Sequence, residues 1–198
     1  MAHPGRAGRA CSEDLEYHAF DSRRMGRFYM GVDVAERVDH SVIAVLEEAE
    51  SGLDLVHMHR FPVGTTLASV IGYAKLLGGR WRRIHATYVD NTRHGDYLIG
   101  DMAEAGVPNP EGVNFTVDSK MEMAQLLKQQ MQQGPLRVPY DQELLDELNN
   151  QRYELTKTGK ITFSHPSGTH DDRFWALALA VYAVEREEPV SRPIARSY

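Results

Sequence analysis

Four aspartates occupy positions where a carboxylate is unusual. Asp33 interrupts the apolar run at residues 30–35, and Asp90 ends the apolar segment at residues 84–89. Asp171 and Asp172 begin a long stretch with apolar residues at helical spacing. Carboxylates that share a partly buried site repel one another, and a bound divalent cation relieves that repulsion. Ligation by carboxylates alone favours hard ions, so the pattern indicates Mg²⁺ or Mn²⁺ rather than zinc.

The chemistry open to such a cluster is hydrolysis of a phosphodiester bond. Two divalent ions about 3.5–4 Å apart can activate a water molecule and stabilise the leaving oxygen. The sequence therefore predicts a site with two ions, in which the metal ligands and catalytic residues are Asp33, Asp90, Asp171 and Asp172.

Each aspartate also has a structural alternative. Asp33 would accept hydrogen bonds from a neighbouring loop, and Asp90 would close the turn that follows it. Thr169 and Asp172 match a capping box, in which Asp172 only starts a helix. Asp171 would then be a favourable charge at the helix dipole. The joint occurrence of the four acids at sites that one sheet topology brings together favours the catalytic interpretation.

The elements that must position these acids follow from the period of the apolar residues. The predicted order is strands at 28–34, 41–46 and 53–61, a helix at 65–77 ended by Gly78-Gly79, a strand at 84–89, a helix at 95–105, a strand at 113–117, helices at 119–133 (with Ser119 as N-cap) and 141–150, a hairpin with strands at 152–156 and 160–163, and a helix at 171–185. This order predicts an α/β fold with a mixed sheet of five or more strands and helices on both faces. The first strand would be central, which places Asp33 beside Asp90.

Composition bounds the class of protein. The chain has 198 residues, 42% hydrophobic and 25% charged, as expected for a soluble globular domain. No apolar run approaches the roughly 20 residues that span a bilayer, so we expect no membrane partner and a cytoplasmic location. A single cysteine, Cys11, excludes an internal disulfide framework and a multi-cysteine zinc site. Residues 1–27 lack apolar periodicity and predict a flexible arm, and residues 28–198 the folded domain.

The formal net charge of −6 is unusual for a nucleic-acid binder, because phosphate contacts depend on positive charge. Basic residues are nevertheless concentrated between residues 73 and 94, where Asp90 is the only acid: Lys75, Arg80, Arg82, Arg83 and Arg93. This concentration predicts a local basic patch; the alternative is a solvated helix end.

Three segments resemble motifs of the nuclease domain of phage terminase large subunits. They are Gly31-Val32-Asp33-Val34-Ala35 followed by Asp39-His40-Ser41-Val42-Ile43, then Val89-Asp90-Asn91-Thr92-Arg93-His94-Gly95-Asp96, and finally Thr169-His170-Asp171-Asp172-Arg173-Phe174-Trp175-Ala176-Leu177-Ala178-Leu179-Ala180. The third is the most distinctive. The second differs from the family in that Arg93 and His94 stand where members often have a glycine-rich turn. The resemblance covers residues 28–184.

The resemblance implies a ribonuclease H-like fold and a nuclease that cuts concatemeric double-stranded viral DNA during packaging in the host cell. It implies that Asp33, Asp90 and one or both of Asp171 and Asp172 bind metal. His170 would orient a metal ligand or a water molecule, or else bond the helix start. Contacts to the DNA backbone would come from Arg93, Lys120, Lys157 and Lys160, and the alternative for the hairpin around Lys157 and Lys160 is a plain solvated turn.

The family also implies partners: double-stranded DNA, an ATPase motor, a small terminase subunit and a portal. The phosphate-binding string G-x-x-x-x-G-K-[ST] of such a motor does not occur in these 198 residues. We therefore expect that this chain alone does not translocate DNA.

Three rival interpretations remain open at this point. A junction resolvase or an RNA–DNA hybrid nuclease would use the same acids on the same fold. The segment Gly31-Val32-Asp33-Val34-Ala35 also resembles the phosphate-binding start of actin-like ATPases, although glycine-rich second and third phosphate motifs are absent. A non-catalytic interaction domain on a ribonuclease H-like scaffold is the third.

Overall fold

A computed structural model describes residues 10–35, 39–50, 52–134, 136–155, 161–164 and 170–187. The strands are β1 (Cys11–Ser12), β2 (Arg24–Asp33), β3 (Val42–Ala49), β4 (Gly52–Arg60), β5 (Trp81–Asp90), β6 (Pro110–Val113), β7 (Leu136–Pro139), β8 (Arg152–Leu155) and β9 (Ile161–Ser164). The helices are α1 (Leu67–Arg80), α2 (Asp96–Ala105), α3 (Val117–Gln133), α4 (Gln142–Asn150) and α5 (Asp172–Arg186).

Seven strands form one mixed sheet in the order β1-β7-β4-β3-β2-β5-β6, and β8 and β9 pair separately. β2 is antiparallel to β3 and parallel to β5, so it lies between the antiparallel and parallel parts of the sheet, as predicted. Val32 and Val89 are direct partners in the β2–β5 ladder. The next residue of each strand is an aspartate, so Asp33 and Asp90 lie at the same edge of the sheet.

Helices cover both faces of this sheet, which confirms the predicted architecture. One core packs α3, α4 and α5 on the sheet face that carries Val42, Ala44 and Leu46. The other packs α1 and α2 on the face that carries Ile43 and Val45. Because both faces are buried, the central strands are apolar on both sides and show no clean alternation.

Helix α5 lies directly on β2 at a glycine. A Cβ atom added to Gly31 would lie 2.1 Å from the carbonyl oxygen of Ala176 and 2.4 Å from the amide nitrogen of Ala180. Ala176 and Ala180 share one face of the helix, being four residues apart. Gly31 and Asp33 share one face of the strand. Main-chain contact at Gly31 therefore sets how close the start of α5 comes to Asp33.

Residues 10–27 belong to the packed domain, contrary to the prediction of a flexible arm that ends at residue 27. Cys11 pairs with Val138 in a parallel ladder, and Ala10 is buried in the core. The Tyr17 hydroxyl donates to Asp141 Oδ2 at 3.0 Å. A two-residue strand is too short to show the periodicity on which the boundary was based.

Two helix boundaries also differ from the predictions. Helix α1 continues through Gly78 and Gly79, and a Cβ at Gly78 would lie 2.6 Å from Pro108 side-chain atoms. Gly78 therefore serves close packing and does not end the helix. Helix α3 is capped by Thr116, and Ser119, predicted as the cap, is its reciprocal partner in a capping box.

The shorter elements were the least predictable. The strand predicted at residues 113–117 was placed wrongly: β6 covers Pro110–Val113, Thr116 caps α3, and the helix begins at Val117. Strand β7 was not predicted. The hairpin strands β8 and β9 are antiparallel partners as predicted, whereas Lys157 and Lys160 lie outside the described residues. Among the helices that the structure describes, none is long and apolar enough to cross a membrane.

Candidate active site

A cavity of about 420 Å³ opens where β2 and β5 end. Its lining includes all four predicted aspartates, Asp33, Asp90, Asp171 and Asp172. These side chains come from three segments that are far apart in the sequence. The structure thus brings together the residues that sequence analysis selected, at the sheet edge where it placed them.

Asp33, the last residue of β2, is partly buried beside the other acids. Its pKa is raised well above the ordinary value of 3.8, chiefly because burial removes the carboxylate from water. The negative charges of Asp90, Asp172 and Asp171 raise this pKa further, and the ammonium of Lys120 opposes them. Ionised Asp33 is therefore unfavourable unless positive charge is supplied.

Asp90, the last residue of β5, has a structural role in addition to its place in the cavity. Its Oδ1 accepts hydrogen bonds from the Thr92 amide, at 2.9 Å, and from the Thr92 hydroxyl. Thr92 Oγ1 in turn accepts the Phe115 amide at 2.6 Å. The turn considered as an alternative for Asp90 is present, and it links this acid to the loop before α3.

The start of α5 is capped by a residue from another helix. Asp171 stands at the N-cap position, but its side chain makes no capping bond, and its Oδ2 accepts the Trp175 indole N–H at 2.8 Å. Instead, Glu147 Oε2 on α4 accepts the amides of Arg173, at 2.8 Å, and Phe174, at 3.0 Å. The alternative that casts Thr169 as a cap lies outside the described residues.

Asp172 is the most deeply buried of the four acids, with 4% of its surface exposed. Its Oδ2 has no hydrogen-bond partner among the described residues. Burial, followed by the charge of Asp39, raises the pKa of Asp172 to about 8. A buried carboxylate oxygen without a donor, next to other acids, is an environment that a cation would stabilise.

His170 lies beside two acids that line the cavity, Asp39 and Asp172. Its Nδ1 is 3.4 Å from Asp39 Oδ1 and 3.9 Å from Asp172 Oδ2. One potential ligand atom from each of the three residues lies within 4.8 Å of the others. The donor set of carboxylates and one imidazole is compatible with a divalent metal.

Lys120 on α3 extends into the same cavity. Its Nζ lies 4.4 Å from the ring centroid of Trp175 and 5.0 Å from that of Phe115, so both rings hold the ammonium by cation–π contacts. Arg93 also lines the cavity. Two of the four predicted DNA contacts therefore border the acidic cluster.

The other basic residues between positions 73 and 94 do not extend this site. Arg82 and Arg83 lie at the start of β5, the opposite end of the strand from Asp90, and Arg80 stacks on the ring of Phe20 at 4.4 Å. Of the residues in the predicted basic patch, Arg93 therefore lines the cavity, whereas Arg80, Arg82 and Arg83 lie elsewhere.

Several residues that build the site were not predicted from the sequence. Asp39 follows Asp33 by six positions within the first motif, and that motif was the only signal for it. Phe115 and Trp175 resemble ordinary core aromatics in sequence. Glu147 is one of several acids in α4, and its contact with α5 has no local signature.

Comparison with known proteins bears on this arrangement. A family model described as the terminase ribonuclease H-like domain matches residues 30–183. The large terminase subunit of Thermus virus P23-45 is 30% identical over 167 residues, which are 81% of this chain and 32% of that protein. The chain thus spans about a third of the length of this curated relative.

Two solved structures share the fold over nearly their whole length. The large terminase nuclease of thermophilic phage G20c superposes with a TM-score of 0.77 at 24% identity, covering 90% of this chain and 96% of that one. The same nuclease with bound magnesium gives a TM-score of 0.78 at 23% identity, covering 90% and 95% of the two chains. These structures show the shared fold, and the family model, which matches most of the chain, shows that the chain belongs to the terminase ribonuclease H-like domain family.

Proposed function

We propose that this chain is a metal-dependent endonuclease that hydrolyses phosphodiester bonds of double-stranded viral DNA during genome packaging. The observation that carries the proposal is the convergence of Asp33, Asp90, Asp171 and Asp172 on one cavity. Burial, and then repulsion from neighbouring acids, raises the pKa of Asp33 and Asp172, as expected for acids that share a cation.

The four aspartates would hold Mg²⁺ or Mn²⁺, and we propose two ions. Divalent ions, when bound, activate water and stabilise the leaving oxygen of a phosphodiester. The unpartnered Oδ2 of Asp172 supports this assignment. The related G20c nuclease has been solved with bound magnesium, which supports a divalent ion in this fold.

Other side chains have proposed roles around the acids. Lys120, held over Trp175, and Arg93 both line the cavity and would contact phosphate groups of the DNA backbone. His170, beside Asp39 and Asp172, would orient a metal ligand or a water molecule. Lys157 and Lys160 remain predicted contacts to the DNA backbone.

The proposed partners are double-stranded DNA and the packaging machinery, namely an ATPase motor, a small terminase subunit and a portal. The support is the viral large terminase subunit, of which this chain matches 32%.

Cleavage assays on four substrates test the proposal. Supercoiled plasmid, linear duplex, a four-way junction and an RNA–DNA hybrid are incubated with Mg²⁺, Mn²⁺ or a chelator. We expect nicking and linearisation of duplex DNA with either metal and none with the chelator, and Asp33→Asn serves as the inactive control. Cleavage of only the junction or the hybrid would reject the terminase assignment. No cleavage and no metal-induced rise in Tm would identify a non-catalytic domain.

A further inference from the structure

We propose that Glu147 is a positioning residue for the metal site, because it caps α5 from α4 and thereby leaves Asp171 and Asp172 to face the cavity. This inference rests on the proposed function, since it assumes that these two acids bind metal. It adds a residue that belongs to none of the three sequence motifs and is not among those lining the cavity.

The start of a helix requires hydrogen-bond acceptors from outside the helix. The first N–H groups of a helix have no partner within the helix, and an N-cap side chain usually accepts one of them. Asp171 has the right residue type and position, but its carboxylate is engaged by the indole of Trp175. Glu147 Oε2 accepts two of these N–H groups instead.

Glu147 itself lies in an environment that is unusual for a carboxylate. Only 6% of its surface is exposed, and burial is the largest cause of its raised pKa. The charge of Asp171 raises that pKa further, so a carboxylate here adds to the repulsion in the region. Two interactions offset the cost of burying this charge. They are the hydrogen bonds from two backbone amides of α5, and the guanidinium of Arg173, whose Nε lies 3.8 Å from Oε1.

Helix α4 is itself anchored, and this anchoring allows the Glu147 cap to hold α5 in place. Arg173 on α5 forms an ion pair with Asp141 at 2.9 Å and a second with Glu143. Tyr17 donates to the same Asp141 carboxylate at 3.0 Å. Helix α4 is therefore tied both to the start of α5 and to the segment that precedes β2.

Two conservative variants separate the cap from the charge. Glu147→Gln keeps an acceptor oxygen at the same reach and removes the charge, whereas Glu147→Asp keeps the charge and shortens the reach by one methylene. The Mn²⁺ concentration at half-maximal effect is measured twice, from the metal-induced rise in Tm and from plasmid nicking. We expect Glu147→Asp to raise both midpoints by about 10-fold or more, as for residues that orient metal ligands. Glu147→Gln should stay close to the unmodified protein.

Glu122→Ala is the matched control. Glu122 on α3 accepts from Arg186 at 2.8 Å, near the far end of α5. Its removal loosens the same helix away from the acids and should leave the midpoints unchanged.

The outcomes distinguish the inference from the proposed function. Unchanged midpoints in Glu147→Asp, with only a lower Tm, would reduce Glu147 to a structural contact and overturn the inference. A larger loss in Glu147→Gln than in Glu147→Asp would overturn it as well, because charge and not capping would then matter. If the unmodified protein shows no response to metal, the proposed function itself fails and the inference fails with it.

Discussion

Two clusters in the described part of the chain each contain one buried titratable side chain, His57 or Asp172, and they differ in how the polar atoms of that side chain are satisfied. The acidic cavity lies where β2 and β5 end. The second cluster, here called the histidine cluster, packs between the sheet and α1 and consists of His18, His57, His59, Tyr73 and Trp81. Both clusters remove an ionisable group from water. In the histidine cluster, both ring nitrogens of buried His57 have a hydrogen-bond partner, whereas in the acidic cavity Oδ2 of buried Asp172 has none among the described residues.

His57 shows how the protein itself satisfies a buried group. Its Nδ1 lies 3.2 Å from the His18 carbonyl oxygen, which can only accept, so Nδ1 carries the proton. Its Nε2 then accepts from the Tyr73 hydroxyl at 2.9 Å. Burial lowers the pKa of His57 to about 4, so the ring is neutral at physiological pH and fully bonded.

The acidic cavity is the opposite case. Asp172 has a buried oxygen without a donor among the described residues, and its pKa is raised to about 8. Buried polar groups in proteins are generally paired, so an unpaired oxygen among other acids is consistent with a partner from outside the chain. Other buried atoms without a hydrogen-bond partner, such as Arg27 Nε and Gln151 Nε2, belong to residues that do not line the cavity, so the distinguishing feature of Asp172 is the cluster of acids around its unpaired oxygen.

The largest effect should follow from neutralising the cavity. Asp33→Asn, Asp90→Asn and the double change of Asp171 and Asp172 to Asn should each lower cleavage by at least about a thousandfold, since several kcal/mol of transition-state stabilisation are lost. Thermal stability without metal should stay equal or rise, because the repulsion among the acids is relieved. Plasmid nicking and calorimetry measure the two quantities. Loss of folding in all three variants would support the structural alternatives instead.

An intermediate effect, on stability alone, should follow from breaking the histidine cluster. Tyr73→Phe removes the donor to His57 Nε2 and should lower the free energy of unfolding by about 1–3 kcal/mol, the cost of an unsatisfied buried group. The Mn²⁺ midpoint should not change. Urea denaturation gives the first quantity, and Tyr97→Phe, at an 88% exposed tyrosine, is the control. A shift of the metal midpoint in Tyr73→Phe would mean that the two clusters are coupled.

The smallest effect concerns pH, where the two clusters act with opposite sign. Asp172 has a folded pKa of about 8 against an ordinary value of 3.8, so its protonated form favours the fold, and stability is lost as pH rises through this range. His57 has a folded pKa of about 4 against 6.5, so its contribution is present above pH 6.5 and is lost as pH falls toward 4.

Between about pH 6.5 and 8, the contribution of Asp172 to folding stability changes and that of His57 does not. The Tm of the metal-free protein should therefore fall as pH rises. Asp172→Asn should reduce this slope, and saturating Mn²⁺ should do the same. Calorimetry across the range with a chelator present measures the slope. A flat profile in the unmodified protein would contradict the raised pKa of Asp172.

The sequence was sufficient to predict Asp33, Asp90, Asp171 and Asp172 of the cavity, though not Asp39, and the sheet that carries the first two. Asp33 and Asp90 interrupt apolar runs, and neighbouring parallel strands end at the same edge of a sheet. Thr116 and Ser119, in contrast, both carry hydroxyls at cap spacing, so the start of α3 was ambiguous by three residues. The Glu147 cap joins residues 26 apart, and no local period encodes such a contact.

The contact of α5 with Gly31 bears on which ions the cavity accepts. At this crossing the main chain of a helix lies against the main chain of a strand, and the two nearest contacts of an added Cβ would be main-chain atoms. A methyl group at position 31 would lift the helix and lengthen the spans from Asp33 to Asp171 and Asp172. Ca²⁺ is bound at about 2.3–2.6 Å and Mg²⁺ at about 2.0–2.1 Å. Because these ligand distances differ between the two ions, a residue outside the set of proposed ligands would, if these acids hold the ion as proposed, influence which ion the site binds.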